Sequence, residues 1–454
     1  MEQSSTGSAP PRHLVVFVCD RPHPRIAKLG FGLKSLGCQV VLLHRNALPT
    51  ADSARCFDET RHYNDPSEAL QLARQFQPML YHVFSSWNFD TAEMFMRNRP
   101  GRIVFDDYDV ISGVARPEFM AANYPGLQQS ERYCLENADG ITCRDLLLQT
   151  SKRELHYQIR GRVLYLPDCC WGDHADERSS GIDADALHLV YAGNMAIEKN
   201  AASPHPRDNF YFLDFARDIT SSGIHFHVYP SPSFTDGFEN TLSDHLELAS
   251  RTPYYHVHRP LHADRLVAEI SRYDLGLLSM WQETRDSNKA YLPVIFSHST
   301  SNKLFDYLDA GLGIVTCDAM RFQRWFLGKN DVCISAYLED AREAILSQPL
   351  SFWRGLRKRA RLARDSFSAR VHARRLLRFY LTLIGVGQDS MAQMPPAKGE
   401  QLILAHQAFQ QGEIEEAISH ARLELHHFPD QPDTKRFLTF LQAYQCKTER
   451  MVST

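Results

Sequence analysis

The sequence predicts an α/β protein of two Rossmann-like domains facing a cleft, followed by an all-α helical hairpin. Three observations carry this reading. Short buried strands alternate with amphipathic helices at the spacing of a parallel sheet covered on both faces. A polar stretch over 173–185 interrupts the alternation, which then restarts at Leu187. The length of 454 residues allows two or three domains with ample cores.

The elements follow in order. Residues 14–19, Leu-Val-Val-Phe-Val-Cys, read as a buried parallel strand. A helix over roughly 25–36 turns Ile26, Leu29, Leu33 and Leu36 inward and stops at Gly37. Strands at 40–43, 79–84, 103–105, 141 and 163–166 alternate with helices near 67–76, 90–98, 127–138 and 145–157, giving a first domain over 14–172. The second domain, 186–350, has strands at 187–192, 226–229, 275–278 and 314–316, with helices near 209–221, 263–272 and 302–310. Residues 1–13 are polar and read as disordered.

Residues 351–384 read as one long basic closing helix, carrying Arg354, Arg357, Lys358, Arg359, Arg361, Arg364, Arg370, Arg374, Arg375 and Arg378. Beside Leu376, Leu377, Phe379 and Leu381 this allows peripheral contact with an anionic membrane, or a solvated face on a packed helix. Long helices are usually amphipathic for packing, which favours the second. Residues 385–398 read as a tether. In 399–454, Leu404, Ala405, Ala417 and Pro429 fall on a helix–turn–helix spacing similar to a tetratricopeptide repeat. Ala408 and Ala421 stand where that family has aromatics, and Phe437, Leu438, Phe440 and Leu441 are candidates for a covering helix. A single repeat cannot bury its own face, so it should dock on the body, on a second copy or on a protein partner.

Composition excludes several classes. The net charge of −4 creates no field favouring nucleic acid. No apolar run is long enough to span a membrane, and no secretory leader is visible. The ten cysteines are scattered, without Cys-x-x-Cys pairs or histidines at zinc-ligand spacing beside them. The expectation is a cytoplasmic protein with reduced thiols, no metal centre and no cofactor.

Chemistry concentrates at strand ends. In 299–316, a polar loop feeds a short helix with Ser301 at its N-cap, followed by Asn302, Lys303 and Asp306; Gly311 stands at its C-cap and 313–316 is a buried strand. Uncapped N–H groups, a positive dipole end and Lys303 suit a phosphate, and Asp306 could accept from a ribose. A second strand ends at Gly193, followed by Asn194 and, after a loop, Lys199. The glycine admits close backbone approach, and the lysine can neutralise a diphosphate. In the first domain, Asp106, Asp107, Tyr108 and Asp109 form an acidic strand end, read as an acceptor site with Asp107 or Asp109 as base, or as a capped turn. Arg21, His23 and Arg25 follow the first strand and could reach a phosphate, while Pro24 punctuates the helix start. His82 and Trp87 sit at another strand end, as sugar contacts or as buried structure.

These segments resemble glycosyltransferases of the GT-B fold, in particular the retaining, nucleotide-sugar-dependent family four, over roughly residues 14–384. The run Lys303-Leu-Phe-Asp-Tyr-Leu is similar to that family's donor segment, with Asp306 for its usual Glu and Gly313 for its usual Pro. Gly193, Glu198 and Lys199 match its Gly-Arg-Leu-x-x-Glu-Lys pattern, with Asn194 in place of the arginine. His298 stands where the family has a first acidic residue, and Tyr108 where it has a histidine. The resemblance implies metal-independent transfer of a sugar from a nucleotide diphosphate sugar to a glycan, lipid-linked or protein acceptor. It implies Lys199 and Lys303 on the diphosphate, Asp306 on the ribose, and catalytic roles near Asp107, Tyr108 and Asp109. The alternative is a degenerate relative that binds a nucleotide or sugar without turnover and acts as a scaffold. An epimerase on the same fold would need a carboxylate cluster around the sugar.

Overall fold

The computed structural model describes residues 13–48, 50–172, 185–195, 210–235, 237–282, 292, 294–328, 331–386, 400–410 and 412–452. The first sheet contains β1 (Leu14–Cys19), β2 (Gln39–His44), β3 (Glu59–His62), β4 (Leu80–Ser85), β5 (Ile103–Asp107), β6 (Gly140–Cys143) and β7 (Arg162–Tyr165). All its pairings are parallel, in the order β3-β2-β1-β4-β5-β6-β7. The second contains β8 (His188–Gly193), β9 (His225–Pro230), β10 (Tyr255–Val257), β11 (Leu275–Leu277), β12 (Gly313–Thr316) and β13 (Cys333–Ser335). It too is parallel, in the order β10-β9-β8-β11-β12-β13. The predicted two-domain α/β architecture is therefore present. The strands that spacing did not reveal, β3, β10 and β13, lie at sheet edges.

Both faces of each sheet are buried, and one apolar cluster continues from the first domain into the second. It joins Val15, Phe17, Ile26 and Leu29 through Trp171 to Leu304, Phe305 and Leu308. The interface between the domains is thus a continuation of a core, and polar groups enclosed within it need partners.

The long basic helix expected over 351–384 is two helices. Leu350–Arg364 packs on the second domain, a 3-10 turn spans Asp365–Phe367, and Ala369–Leu383 returns to the first domain against the Pro24–Ser35 helix. Ser368 breaks the run: its backbone is extended and its hydroxyl caps Val371 N at 3.4 Å. Gly32 is required at this crossing because a Cβ there would strike Ala369 O and the Ala373 side chain. Several arginines of the stripe serve the fold. Arg357 binds Asp274 at 3.2 Å, Arg359 and Arg364 donate to the carbonyls of Asp331 and Asp309, and Arg375 donates to Tyr165 O.

The tail contains three helices, Glu400–Gln410, Ile414–His427 and Pro432–Val452. Ala405, Ala408, Ala417 and Ala421 let them approach around Phe437 and Leu441, and Gln401 N and Gln431 close on the buried Glu424. Phe440, expected to cover this core, is instead half exposed, at 48%. Among the described residues, no helix is long and apolar enough to cross a membrane.

Candidate active site

The carboxyl ends of the two sheets face each other, and the side chains projecting there come from both domains. Strand alternation sorts the acidic run at the end of β5. Asp106 points to one face, where Arg25 (3.0 Å) and Thr142 (2.6 Å) bind it. Asp107 points to the other, against Glu131 of the Leu127–Asn137 helix. Burial and then the Glu131 charge push the Asp107 pKa well up, while burial raises Glu131 to about 7. Two buried carboxyls that repel in this way do not both ionise readily. This corrects the reading of Asp107 as a base, because its side chain turns away from the cleft.

Asp109, beyond the strand, does reach the cleft. It accepts from Ser86 Oγ at 3.0 Å and from Arg144 Nη2 at 2.7 Å. Arg144 follows β6 and was not singled out from the sequence. Its guanidinium lies 4.1 Å from the Tyr108 ring centroid, 3.4 Å from Asp145 and 3.7 Å from Asp168. Burial opposes its charge, but Tyr108 and these carboxylates outweigh that and raise its pKa. A cation directly after a buried strand was the available signal, the same one that drew attention to Asp106.

Tyr108 crosses to the second domain, where its hydroxyl bonds the Asn302 amide. Oriented to satisfy both neighbours, that amide accepts from Tyr108 and donates to the Asp168 carboxylate at 2.6 and 3.1 Å. His23 packs on the Tyr108 ring at 4.0 Å, with no hydrogen-bond partner for either ring nitrogen. Burial, then Arg25 and Arg144, lower its pKa well below the usual value and keep it neutral.

One other first-domain expectation requires correction, and His82 takes the structural of its two expected roles. Arg25 is fully buried between Asp106 and Asp168, so it cannot extend to a ligand phosphate. His82 is also fully buried, held by Tyr380 Oη at 2.5 Å and Thr142 Oγ1 at 3.0 Å as a structural strut. Trp87, at φ 57°, packs edge-on against Tyr124. Arg21 alone of the loop cations is exposed.

In the second domain, Ser301 occupies the N-cap of the Asn302–Asp309 helix with extended backbone and makes no side-chain cap, so an anion could take the first-turn N–H groups. Tyr307 Oη accepts from Ala192 N at 3.0 Å and fixes this helix against the end of β8. Lys303 consequently lies beside Gly193, whose φ is 148° and whose missing Cβ would sit 3.0 Å from Lys303 Cε. The ammonium is 5.3 Å from the Tyr191 ring centroid and 5.8 Å from that of Phe210. No described residue accepts a hydrogen bond from it. Burial lowers its pKa to about 8, Asp306 opposing and Arg144 adding to the shift.

Asp306 is already engaged. Lys28, from the first domain, binds it at 2.6 Å with both side chains enclosed. A ribose would have to share that carboxylate, so the expected free acceptor is corrected to one half of a buried ion pair. Asn194 is exposed, its carbonyl accepting from Tyr191 Oη at 2.6 Å. His298 bonds Ser297 through Nδ1, and its carbonyl accepts from Leu146 N of the first domain. Lys199 lies outside the described residues.

The sequence matches no family model and no curated protein. Solved structures do match. Sucrose-phosphate synthase from Thermosynechococcus elongatus aligns with a TM-score of 0.58 at 13% identity, over 83% of this chain and 100% of that one. Anabaena HepE, solved in complex with UDP, aligns with a TM-score of 0.56 at 9% identity, over 81% and 99%. The chain has the GT-B fold. In this GT-B protein, Lys303, the open start of the Asn302–Asp309 helix and Arg144 converge from the two domains on one cleft.

The sequence showed no ligand spacing around cysteines, but the second sheet brings His188, His225 and His227 together. The alternation His225-x-His227 on one strand was the overlooked signal.

Proposed function

We propose that this chain is a glycosyltransferase that takes a sugar from a nucleotide diphosphate donor and passes it to an acceptor hydroxyl. The observation that carries the proposal is Lys303, a half-buried ammonium in the cleft with no acceptor among the described residues, next to an uncapped helix start and a glycine that leaves room for a ligand. Enclosing an unneutralised cation costs stability, and a dianionic ligand removes that cost. The GT-B fold and the UDP bound by HepE support a nucleoside diphosphate as that ligand.

In this reading, the departing diphosphate rests on Lys303 and the Asn302–Lys303 N–H groups, with Arg144 supplying the second cation that Asn194 does not. These groups take the place a divalent ion would have, so transfer proceeds without one. Among the described residues, Asp109 is held by Arg144 and Ser86, and Asp107 faces away. Neither of the two expected bases is thus free, which favours a front-side reaction in which the leaving phosphate accepts the acceptor's proton and configuration is retained. Domain closure would exclude water. Family-four membership, the acceptor class, a partner at the tail and residence in the cytoplasm or at a membrane surface belong to the same proposal.

One arrangement favours the second reading, a binder without turnover. Arg144 is shared among Asp109, Asp145 and Asp168, and Tyr108 with Asn302 bridges the domains across the sugar side of the cleft. Calorimetric titration with uridine and guanosine diphosphates, followed by nucleotide release from their sugars, separates the two. The transferase requires binding and release, both lost in Lys303→Ala. Binding with no release over a panel of acceptors identifies the binder, and no binding of any nucleoside diphosphate removes both.

A further inference from the structure

Away from the cleft, the second sheet carries five histidines on three adjacent strands and the turn after them. His188 opens β8, His225 and His227 lie on β9, His256 lies on β10, and His258 follows it. The parallel register sets His188 opposite His225 and His227 opposite His256, with all the rings stacked on one face. His188 and Gly193 are the two ends of one strand, roughly 16 Å apart at about 3.3 Å per residue. The cluster is therefore separate from the Lys303 site.

Hydrogen bonding sorts the imidazoles into two ranks. His225 Nδ1 bonds His256 Nε2 at 2.9 Å, and His227 Nδ1 bonds His258 Nε2 at 3.0 Å. His188 Nδ1 meets His227 Nε2 at 2.9 Å. Ring nitrogens of His188, His225 and His227 all lie within 4.8 Å of one another. A metal-bound imidazole typically donates its other N–H to an outer acceptor that fixes its tautomer. His256 and His258 supply those acceptors for His225 and His227. Neutral imidazole is the form that binds metal.

We infer that His188, His225 and His227 form a binding site for one divalent ion of the zinc class, with Nδ1 of His188 and Nε2 of the other two as ligands. Two nitrogens on a tetrahedral zinc at 2.0–2.1 Å stand about 3.3 Å apart, so the 2.9 Å His188–His227 pair needs only a small opening to admit the ion. Three nitrogens without carboxylates select zinc, nickel, copper or cobalt over magnesium or calcium. His225 is half-buried, giving the ion an entry and leaving the fourth position to water.

The test uses the full chain, stripped with a chelator and then dialysed against zinc, with cobalt as a spectroscopic substitute. One zinc per chain should be retained, the melting temperature should rise on loading, and cobalt should give the visible bands of a tetrahedral nitrogen site. His225→Gln, at the half-exposed ligand, should abolish the retained equivalent. His258→Gln should weaken binding roughly 10-fold, as loss of an outer partner does. Far-UV circular dichroism confirms that each variant is folded. Retention of less than one equivalent by the wild type, or an unchanged equivalent in folded His225→Gln, overturns the inference. Lys303→Ala should bind zinc normally, so this result stands apart from the outcome at the nucleotide site.

Discussion

Lys303 is the residue on which function and stability pull in opposite directions. Its pKa of about 8 lies below the ordinary 10.5, so between those values the unfolded chain holds more protons and stability rises with pH. Below pH 8 the full cost of enclosing the charge is present. Lys303→Met should therefore raise stability at pH 7 by about 2 kcal/mol, allowing for partial exposure, and the gain should disappear by pH 10.5 in urea titrations. A bound diphosphate should raise the same pKa. Nucleotide affinity is then expected to fall as pH rises above about 8, with proton uptake measurable by calorimetry in buffers of different ionisation enthalpy. Lys303 itself was legible as a cation at a helix start. Its surroundings were not: Arg25 reads as a cation able to reach a phosphate and Lys28 carries no signal, and only the fold shows that they are buried against Asp106 and Asp306. Sequence spacing fixes which face of a helix a residue occupies, but not what covers that face.

At the scale of elements, the strand ends made the site readable and the edges did not. Buried runs such as Val15–Val18 announce central strands, whereas β3 (Glu-Thr-Arg-His) and β13 (Cys-Ile-Ser) carry no apolar run because one side of each has no neighbour. The reading of Asp107 failed at the same level, since a shift of one position along β5 moves a carboxylate from one face of the sheet to the other. The junction of β8 with the Asn302–Asp309 helix gives a sharp expectation. Gly193→Ala adds a methyl group against Lys303 at a φ unfavourable to alanine. Nucleotide affinity should drop at least ~10-fold, and the melting temperature should also fall, because the backbone strain at this φ adds to the displacement of the Lys303 side chain.

For the whole molecule, the Lys28–Asp306 pair is a buried electrostatic tie between the domains. Removing one partner leaves a buried charge, so Lys28→Met should cost about 3–5 kcal/mol, and Lys28→Met with Asp306→Leu should cost less than the sum of the single changes. Thermal unfolding of all four proteins gives the coupling directly. Domain organisation was legible from the restart of the strand–helix pattern, but the route of the chain after residue 364 was not, because one basic amphipathic stripe serves two helices on different domains. Ending the chain at Arg364 should strip the Ala369–Leu383 cover from the first domain and give an insoluble or molten product, visible as lost near-UV dichroism. Ending it at Val386 removes only the three-helix tail, and nucleotide binding should persist.

The return of the chain at Ser368 has a mechanical meaning. There the backbone runs beside the outgoing segment, with Cys170 N bonded to Phe367 O at 2.8 Å and Ala369 N to Cys170 O at 2.7 Å. The lobes are thus joined by two straps stitched together at one point. A hinge between the lobes would sit at that stitch, where both passages of the chain bend together.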